Sequence, residues 1–180
     1  MNSGSTFFIV TGGPGSGKTT LMHALSARGY PVTEEAGRAI IRAQTAIDGP
    51  ALPWADRTAF AELMLSWEIR SHEQALVHAG PVIFDRGVPD VAGYLTLCGL
   101  PVPDHVARAV AHYRYASTVF VAPPWSEIFG RDNERKQDFD EAVRTHAAMV
   151  ATYGAAGYDL VELPRAPVET RADFVISRLT

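Results

Sequence analysis

The chain has 180 residues, of which 47% are apolar and 20% are charged, and its 16 basic and 20 acidic side chains give a net charge of −4. This length suits one domain with one core, and this composition excludes disordered, collagen-like and coiled-coil chains. A net negative charge without a basic stripe also argues against a nucleic-acid partner.

Cysteine usage and hydrophobic runs predict the compartment. The one cysteine, Cys98, cannot form an internal disulfide, which fits a reducing environment. The N-terminal segment lacks the charged and apolar regions of a signal peptide, and no run approaches the roughly 18 apolar residues of a membrane span. We therefore expect a cytoplasmic monomer or homodimer with no membrane partner.

Short apolar runs alternate with segments of helical periodicity along the whole chain. The predicted strands are residues 6–11, 31–34, 82–84, 118–121 and 159–163. The predicted helices are residues 19–28, 36–47, 55–78, 88–97, 104–115, 126–153 and 168–179. Such alternation is typical of a parallel sheet covered on both faces. The sequence thus predicts a single α/β domain over residues 1–180, with three layers and about five strands.

A glycine-rich segment follows the first predicted strand and carries the full pattern G-x-x-x-x-G-K-[ST] of a phosphate-binding loop, the P-loop. Its residues are Gly12, Gly13, Pro14, Gly15, Ser16, Gly17, Lys18 and Thr19, followed by Thr20. In such a loop backbone N–H groups surround a phosphate, the lysine reaches the β and γ phosphates, and the hydroxyl binds Mg²⁺. A glycine-rich turn without a ligand is the alternative. The strand before the pattern and the helix after it favour an ATP and Mg²⁺ site.

Two charged residues end the third predicted strand. Asp85 follows the four apolar residues 81–84, which is the position of a metal-orienting acid in nucleotide-binding sheets. Arg86, the next residue, has a planar guanidinium that can donate to phosphate oxygens. The alternative is that Asp85 caps the next helix and that Arg86 is its ion-pair partner. Asp90 is expected to complement the dipole of that helix in its first turn.

An acidic pair follows the second predicted strand. Glu34 and Glu35 stand where the carboxyl end of that strand is expected, and Arg38 and Arg42 follow on one helical face. One interpretation makes Glu35 a base that accepts a proton from a substrate hydroxyl. The other is a solvated helix start with local ion pairs.

Basic residues near the end of the chain predict a lid. Arg131 and Arg135 stand four residues apart with Lys136 beside them, and like charges at this spacing weaken a helix unless an anion lies between them. We expect a lid over the nucleotide phosphates at residues 126–141. Local pairing with the neighbouring acids is the alternative.

The helix predicted at residues 55–78 has an apolar face formed by Phe60, Met64 and Trp67. A core face is the simpler interpretation, and the wall of a substrate cleft is the alternative. We expect the acceptor cleft to be walled by residues that follow the second and third strands on the side of the γ-phosphate. These are Glu35, Arg38, Trp54, Phe60, Trp67 and Tyr94.

Several segments together resemble the small AAA-type predicted ATPase domains, which are related to ribosylnicotinamide kinase and more distantly to deoxynucleoside kinases. The resemblance covers nearly the whole chain and rests on GGPGSGKTT, EEAGRAII, VIFDRGVPDVAGYL, STVFVAPP, RDNERKQDFDEA and the tail YDLVELPRAPVETRADFVISRL. It implies a P-loop kinase-like core with strand order 2-3-1-4-5, an ATP and Mg²⁺ site, and an arginine-bearing lid. It also implies that Glu35, or less closely Glu34, is the base, that Asp85 and Arg86 form the family's acid-arginine pair, and that Arg165 lies in the loop that packs on adenine.

Two functions fit these features. The first is a kinase that transfers the γ-phosphoryl group of ATP to a hydroxyl of a small metabolite. Lys18, Arg131 and Arg135 would then stabilise charge, Thr19 and Asp85 would hold Mg²⁺, and Glu35 would act as base. The second is a nucleotide-dependent switch or binding module with slow hydrolysis. We favour the kinase, and the sequence does not name its acceptor.

Overall fold

The computed structural model describes residues 6–129 and 138–179, and these residues form a parallel sheet with helices on both faces. The strands are β1 (Phe7–Gly12), β2 (Val82–Asp85), β3 (Thr118–Ala122) and β4 (Asp159–Glu162). The helices are α1 (Lys18–Ala27), α2 (Ala36–Ala46), α3 (Arg57–Ala75), α4 (Val88–Leu97), α5 (Asp104–His112), α6 (Phe139–Ala155) and α7 (Val168–Ile176), with a 3₁₀ helix at Ser126–Ile128. None of these helices is long and apolar enough to cross a membrane.

The strands lie in the order β2-β1-β3-β4 and every pair is parallel. The register aligns Val10 of β1 with Asp85 of β2, and Gly12 with Ala122 of β3. The carboxyl ends of β1, β2 and β3 therefore meet at one edge of the sheet. Parallel α/β sheets bind ligands at this edge.

The prediction of five strands in the order 2-3-1-4-5 is wrong, because residues 31–34 do not form a strand. Val32 makes a single parallel bridge to Ile83, supported by hydrogen bonds from Ile83 N to Pro31 O and from Thr33 N to Ile83 O, both 2.9 Å. The next ladder bond is replaced by a side chain, since the backbone N–H of Asp85 donates to Thr33 Oγ1 at 3.1 Å. Pro31 has no N–H to extend the pairing in the other direction.

Each face of the sheet buries alternate side chains of the same strands. One face packs against α1 and α7 through Phe8, Val10, Ile83 and Phe120, together with Leu21, Leu25, Ala172 and Val175. The other packs against α3, α4, α5 and α6 through Phe7, Ile9, Phe84 and Val119, together with Leu65, Val91, Val106 and Met149. The predicted three-layer α/β architecture is thus confirmed.

The helix predicted at residues 126–153 is interrupted. A 3₁₀ helix occupies Ser126–Ile128, and α6 begins at Phe139, where the side chain of Asp138 caps it by accepting a hydrogen bond from Glu141 N at 2.8 Å. An aspartate at this position marks the start of a helix, because its carboxylate satisfies a backbone N–H group of the first turn. Periodicity alone did not reveal this boundary.

The phosphate loop lies directly against the backbone of α6. A Cβ atom built on Gly13 would be 2.3 Å from the carbonyl oxygen of Ala142, which is backbone and cannot rotate away. Gly154, in the last turn of the same helix, has no atom within 4 Å of a Cβ built there. The first position therefore requires glycine for close approach, and the second does not.

We expect alanine at these two glycines to have opposite effects on stability. Gly13→Ala should lower the free energy of unfolding by about 1–3 kcal/mol, because the new methyl group displaces α6. Gly154→Ala should raise it by roughly 0.5–1 kcal/mol, because alanine restricts the unfolded chain and suits a helix. Urea unfolding of both variants measures the difference, and equal effects would contradict the close approach.

Candidate nucleotide and acceptor site

The loop between β1 and α1 folds into a compact backbone cradle. Gly15 and Gly17 have φ angles of +68° and +75°, which other residues rarely adopt, and Gly17 caps α1. Two side chains tie the loop to itself, since Ser16 Oγ and Lys18 Nζ both donate to the carbonyl oxygen of Gly13, at 2.8 and 3.3 Å. Successive N–H groups in such a loop, followed by a helix N-terminus, form an anion site.

Two oxygen donors stand beside this cradle. Thr19 is exposed in the first turn of α1, and Asp85 is buried at the carboxyl end of β2, the strand next to β1. Mg²⁺ in nucleotide sites is commonly held by one or two protein oxygens together with phosphate oxygens and water. A hydroxyl and a carboxylate fit that requirement. Within residues 6–129 and 138–179, no group of three or more His, Cys, Asp or Glu side chains could hold a metal by itself.

Arg86 forms the centre of a buried charge cluster. Its backbone has φ +75° and its Nη1 atom donates to Asp90 Oδ1 at 3.1 Å, while Nε donates to Glu35 Oε1 at 3.4 Å. Arg38 Nε binds the other oxygen of Glu35 at 3.2 Å. Burial lowers the pKa of Arg86, but Glu35, Asp90 and Asp85 outweigh that effect and raise it. The guanidinium therefore keeps its charge and holds Glu35 in place.

Asp90 joins this cluster to two further elements, a role that the sequence analysis did not predict. Besides Arg86, it accepts hydrogen bonds from the hydroxyl of Thr11 at 2.5 Å, from the backbone of Gly87 at 3.0 Å and from the hydroxyl of Tyr153 in α6. The expected first-turn position is present, but the carboxylate also links β1 to α6. Partners so far apart in the chain have no signature in sequence spacing.

A cavity of about 430 Å³ opens beside the phosphate loop and the Arg86 cluster. Pro14 of the loop borders it, as do Glu35, Trp54, Phe60, Tyr94 and Arg86. Four of the six residues expected to wall the acceptor cleft, Glu35, Trp54, Phe60 and Tyr94, are thus brought together. Arg38 contacts Glu35 but does not line the cavity, and Trp67 lies in a separate depression with Thr33 and His78.

The cavity also contains charged residues that the sequence analysis missed. Glu68 of α3 is 3% exposed, lines the cavity, and makes no hydrogen bond within the part of the chain that is described. Burial, followed by the negative charges of Asp90 and Asp85, raises the pKa of Glu68 well above its ordinary value. Glu141, Arg144 and Thr145 of α6 complete the wall. The sequence of this mixed helix does not show that Glu68 is buried, nor which groups lie near it across space.

The remaining predicted residues outside the phosphate loop lie after β4 or outside the described chain. Arg165, in the loop after β4, donates from Nε to the carbonyl of Pro124 at 3.2 Å and so joins the segments that follow β3 and β4. Arg131 and Arg135 lie outside the described residues. At the start of the expected lid, Phe129 packs on the loop, since a Cβ on Gly15 would be 2.4 Å from its ring.

Comparison with known proteins identifies the family. A family model described as an AAA domain matches residues 7–171. The chain belongs to this AAA domain family. No curated protein matches this AAA domain. Its structure is similar to that of NadR protein in complex with NR, with 19% identity, a TM-score of 0.71, and coverage of 96% of this chain and 50% of that one. The chain therefore spans about half the length of that relative.

Two further structures match this chain over nearly their whole length. Deoxyadenosine kinase from M. mycoides with bound dATP is 13% identical with a TM-score of 0.62, and covers 97% of this AAA domain and 98% of its own chain. Thymidylate kinase from Ehrlichia chaffeensis is 17% identical with a TM-score of 0.59, and covers 98% of both chains. The AAA domain thus has the P-loop kinase-like fold, as the sequence resemblance implied.

Glu68 gives this AAA domain an unusual dependence of stability on pH. Because its pKa is higher in the folded than in the unfolded chain, the stability that its proton gives is present below the ordinary value of 4.5 and is lost as the pH rises through the folded pKa. Glu68→Gln should remove this loss, so its stability relative to the wild type should increase as the pH rises. Urea unfolding between pH 5 and 8 measures it.

The control is Gln74→Ala, at an exposed position of the same helix that carries no titratable group. It should leave the pH dependence of the unfolding free energy unchanged, because it removes no charge. If Glu68→Gln follows the wild-type curve at every pH, burial does not raise the pKa of Glu68 in the folded protein, and this account of the cavity is wrong.

Proposed function

We propose that this AAA domain is a kinase that uses ATP and Mg²⁺ to phosphorylate a hydroxyl of a small molecule. The observation that carries the proposal is the position of the cavity, which has Pro14 of the phosphate loop on one side and Glu35 on another. A molecule bound there would meet the end of a nucleotide phosphate chain held by the loop. Closeness and orientation of the two reactants supply most of the catalysis in phosphoryl transfer.

The nucleotide half of the site would use the phosphate loop and its neighbours. Backbone groups of the loop would cradle the phosphates, with Lys18 near the β and γ phosphates and Arg165 beside the adenine. Mg²⁺, held by Thr19 and Asp85, would neutralise charge on the phosphate oxygens. Lys18 is 5% exposed and already directed toward the loop by its contact with Gly13, so little side-chain freedom is left to lose on binding.

The acceptor half would use Glu35 to orient a hydroxyl. The carboxylate is 7% exposed and is held by Arg38 and Arg86, so its direction is fixed before the acceptor arrives. In a loose phosphoryl-transfer transition state, the main task of such a carboxylate is to align the hydroxyl. Glu35 would accept the proton as the new O–P bond forms and the bond between the γ-phosphorus and the bridging oxygen of ADP breaks.

The size and chemistry of the cavity favour a small polar acceptor. A volume of about 430 Å³ falls within the range of small-molecule sites, and the wall combines aromatic rings with a few charged groups. The relatives support this class, because NadR was solved with NR and deoxyadenosine kinase with dATP. Arg131 and Arg135 of the lid would stabilise the transferred phosphoryl group once both ligands are bound.

The function is tested by supplying ATP and Mg²⁺ with a panel of nucleosides, sugars, amino alcohols and vitamins. Mass spectrometry should detect one class of acceptor with an added phosphoryl group, formed in equal amount to ADP. Lys18→Ala, which removes the charge at the β and γ phosphates, should abolish product. ADP and inorganic phosphate without any phosphorylated acceptor would contradict the kinase and support the nucleotide switch.

The two adjacent glutamates provide a matched pair for the base. Glu35→Gln should lower kcat for phosphoryl transfer by roughly 10² to 10⁴, the usual contribution of a positioned base, with little change in ATP affinity. Glu34→Gln should change kcat by less than about threefold, because Glu34 is 57% exposed and pairs with Arg42 at the surface. Steady-state kinetics and ATP titration of both variants measure these effects. An equal loss of kcat in the two variants would contradict the role of Glu35 as the base.

A further inference from the structure

Arg171 of α7 lies buried beneath the phosphate loop and binds its backbone. The residue is 3% exposed, and its Nη2 atom donates to the carbonyl oxygen of Ser16 at 3.1 Å. Its Nη1 atom donates to the carbonyl oxygen of Gly17 at 3.3 Å. A Cβ built on Gly17 would be 2.6 Å from Nη1, so the guanidinium packs directly on the loop. The last helix of the fold thus reaches the first loop.

No carboxylate within residues 6–129 and 138–179 forms an ion pair with this guanidinium. The two acids nearest to it on α7, Glu169 and Asp173, both bind Arg28 on the protein surface. Arg171 Nε is buried without a hydrogen-bond partner in the described residues, and the ring of Trp125 lies 5.9 Å from the guanidinium carbon. Burial alone lowers the pKa of Arg171. Its positive charge is therefore buried beside the phosphate loop without a negative partner there.

The two carbonyl groups that Arg171 binds help to fix where the loop N–H groups point. The carbonyl of Gly17 also accepts a hydrogen bond from Leu21 N of α1 at 3.2 Å, so Arg171 and the helix hold that peptide together. In a trans peptide unit the C=O and N–H bonds point in opposite directions, and the described chain has no cis peptide bonds. With the carbonyls of Ser16 and Gly17 turned toward Arg171, the N–H groups of Gly17 and Lys18 are turned away from it. Hydrogen bonding at the carbonyl also polarises the peptide unit, which strengthens its N–H as a donor.

We infer that Arg171 is a positioning residue for nucleotide phosphate, acting through the peptides of Ser16 and Gly17. It helps to fix and it polarises the two N–H groups that would face a phosphate, and the phosphate would bring a negative charge close to the buried guanidinium. The ligand class is a nucleoside polyphosphate, or any polyphosphate that fits the loop. This inference rests on the proposed nucleotide site and adds Arg171 to it, a residue about 150 positions from the phosphate loop in the sequence.

The test is calorimetric titration of Mg²⁺-ATP and of Mg²⁺-tripolyphosphate into the wild type and three variants. Arg171→Met keeps the length of the side chain and removes its charge and donors, and it should weaken both ligands about 10- to 100-fold, the value of hydrogen bonds from a charged group. Arg171→Lys keeps the charge with fewer donors and should give an intermediate loss. Arg178→Met, at an exposed arginine that stacks on Phe174, should stay within about twofold of the wild type.

The outcomes separate this inference from the proposed function. Failure of the wild type to bind ATP would overturn the nucleotide site and with it the role of Arg171. If the wild type binds both ligands and the two Arg171 variants bind them with wild-type affinity, Arg171 has only a structural role. The kinase proposal is not affected by that result. Thermal unfolding distinguishes a folding defect, because a structural role lowers Tm while the folded fraction still binds with wild-type affinity. If Arg171→Met does not fold, Arg171→Lys decides.

Discussion

The ion pairs of Arg86 with Glu35 and Asp90 are the interaction on which the geometry of the site depends. Arg86 is nearly buried at the end of β2, and its two partners come from the start of α2 and the first turn of α4. Removing one partner of such a cluster leaves an uncompensated charge in a poorly solvated place, which costs several kcal/mol. The cluster thus fixes the wall of the cavity in relation to the sheet edge.

Asp90 extends the same constraint to the far side of the site. Through Thr11 it reaches β1, the strand that leads into the phosphate loop, and through Tyr153 it reaches α6. Since α6 also lines the cavity and touches Gly13 of the loop, the nucleotide half and the acceptor half share one rigid support. Arg171 provides a second support for the loop from the opposite face of the sheet, where α1 and α7 pack.

The sequence predicted the features that depend on local patterns. The alternation of apolar runs with helical segments was enough for the α/β layers, and the glycine spacing was enough for the phosphate loop. The fold family came from the resemblance of several segments to known domains. The prediction of an edge strand at residues 31–34 was wrong. The backbone N–H of Asp85 binds the hydroxyl of Thr33 where a strand would offer a backbone carbonyl, and strand propensities do not describe such a bond. Glu68 and Arg171 were missed because their roles depend on burial and on contacts with residues far away in the sequence. Trp67 was assigned to the cleft from helical spacing, but spacing does not say which of two neighbouring depressions a side chain enters.

The central claim is that a nucleotide held by the phosphate loop ends at the acceptor cavity. A crystal structure of the protein with Mg²⁺ and a non-hydrolysable ATP analogue tests this most directly. The account predicts that the terminal phosphate lies beside Lys18 at the mouth of the cavity, on the side of Glu35, and that the cavity itself stays free of nucleotide. An adenine base inside the cavity, or a phosphate chain that ends away from Glu35, would contradict it.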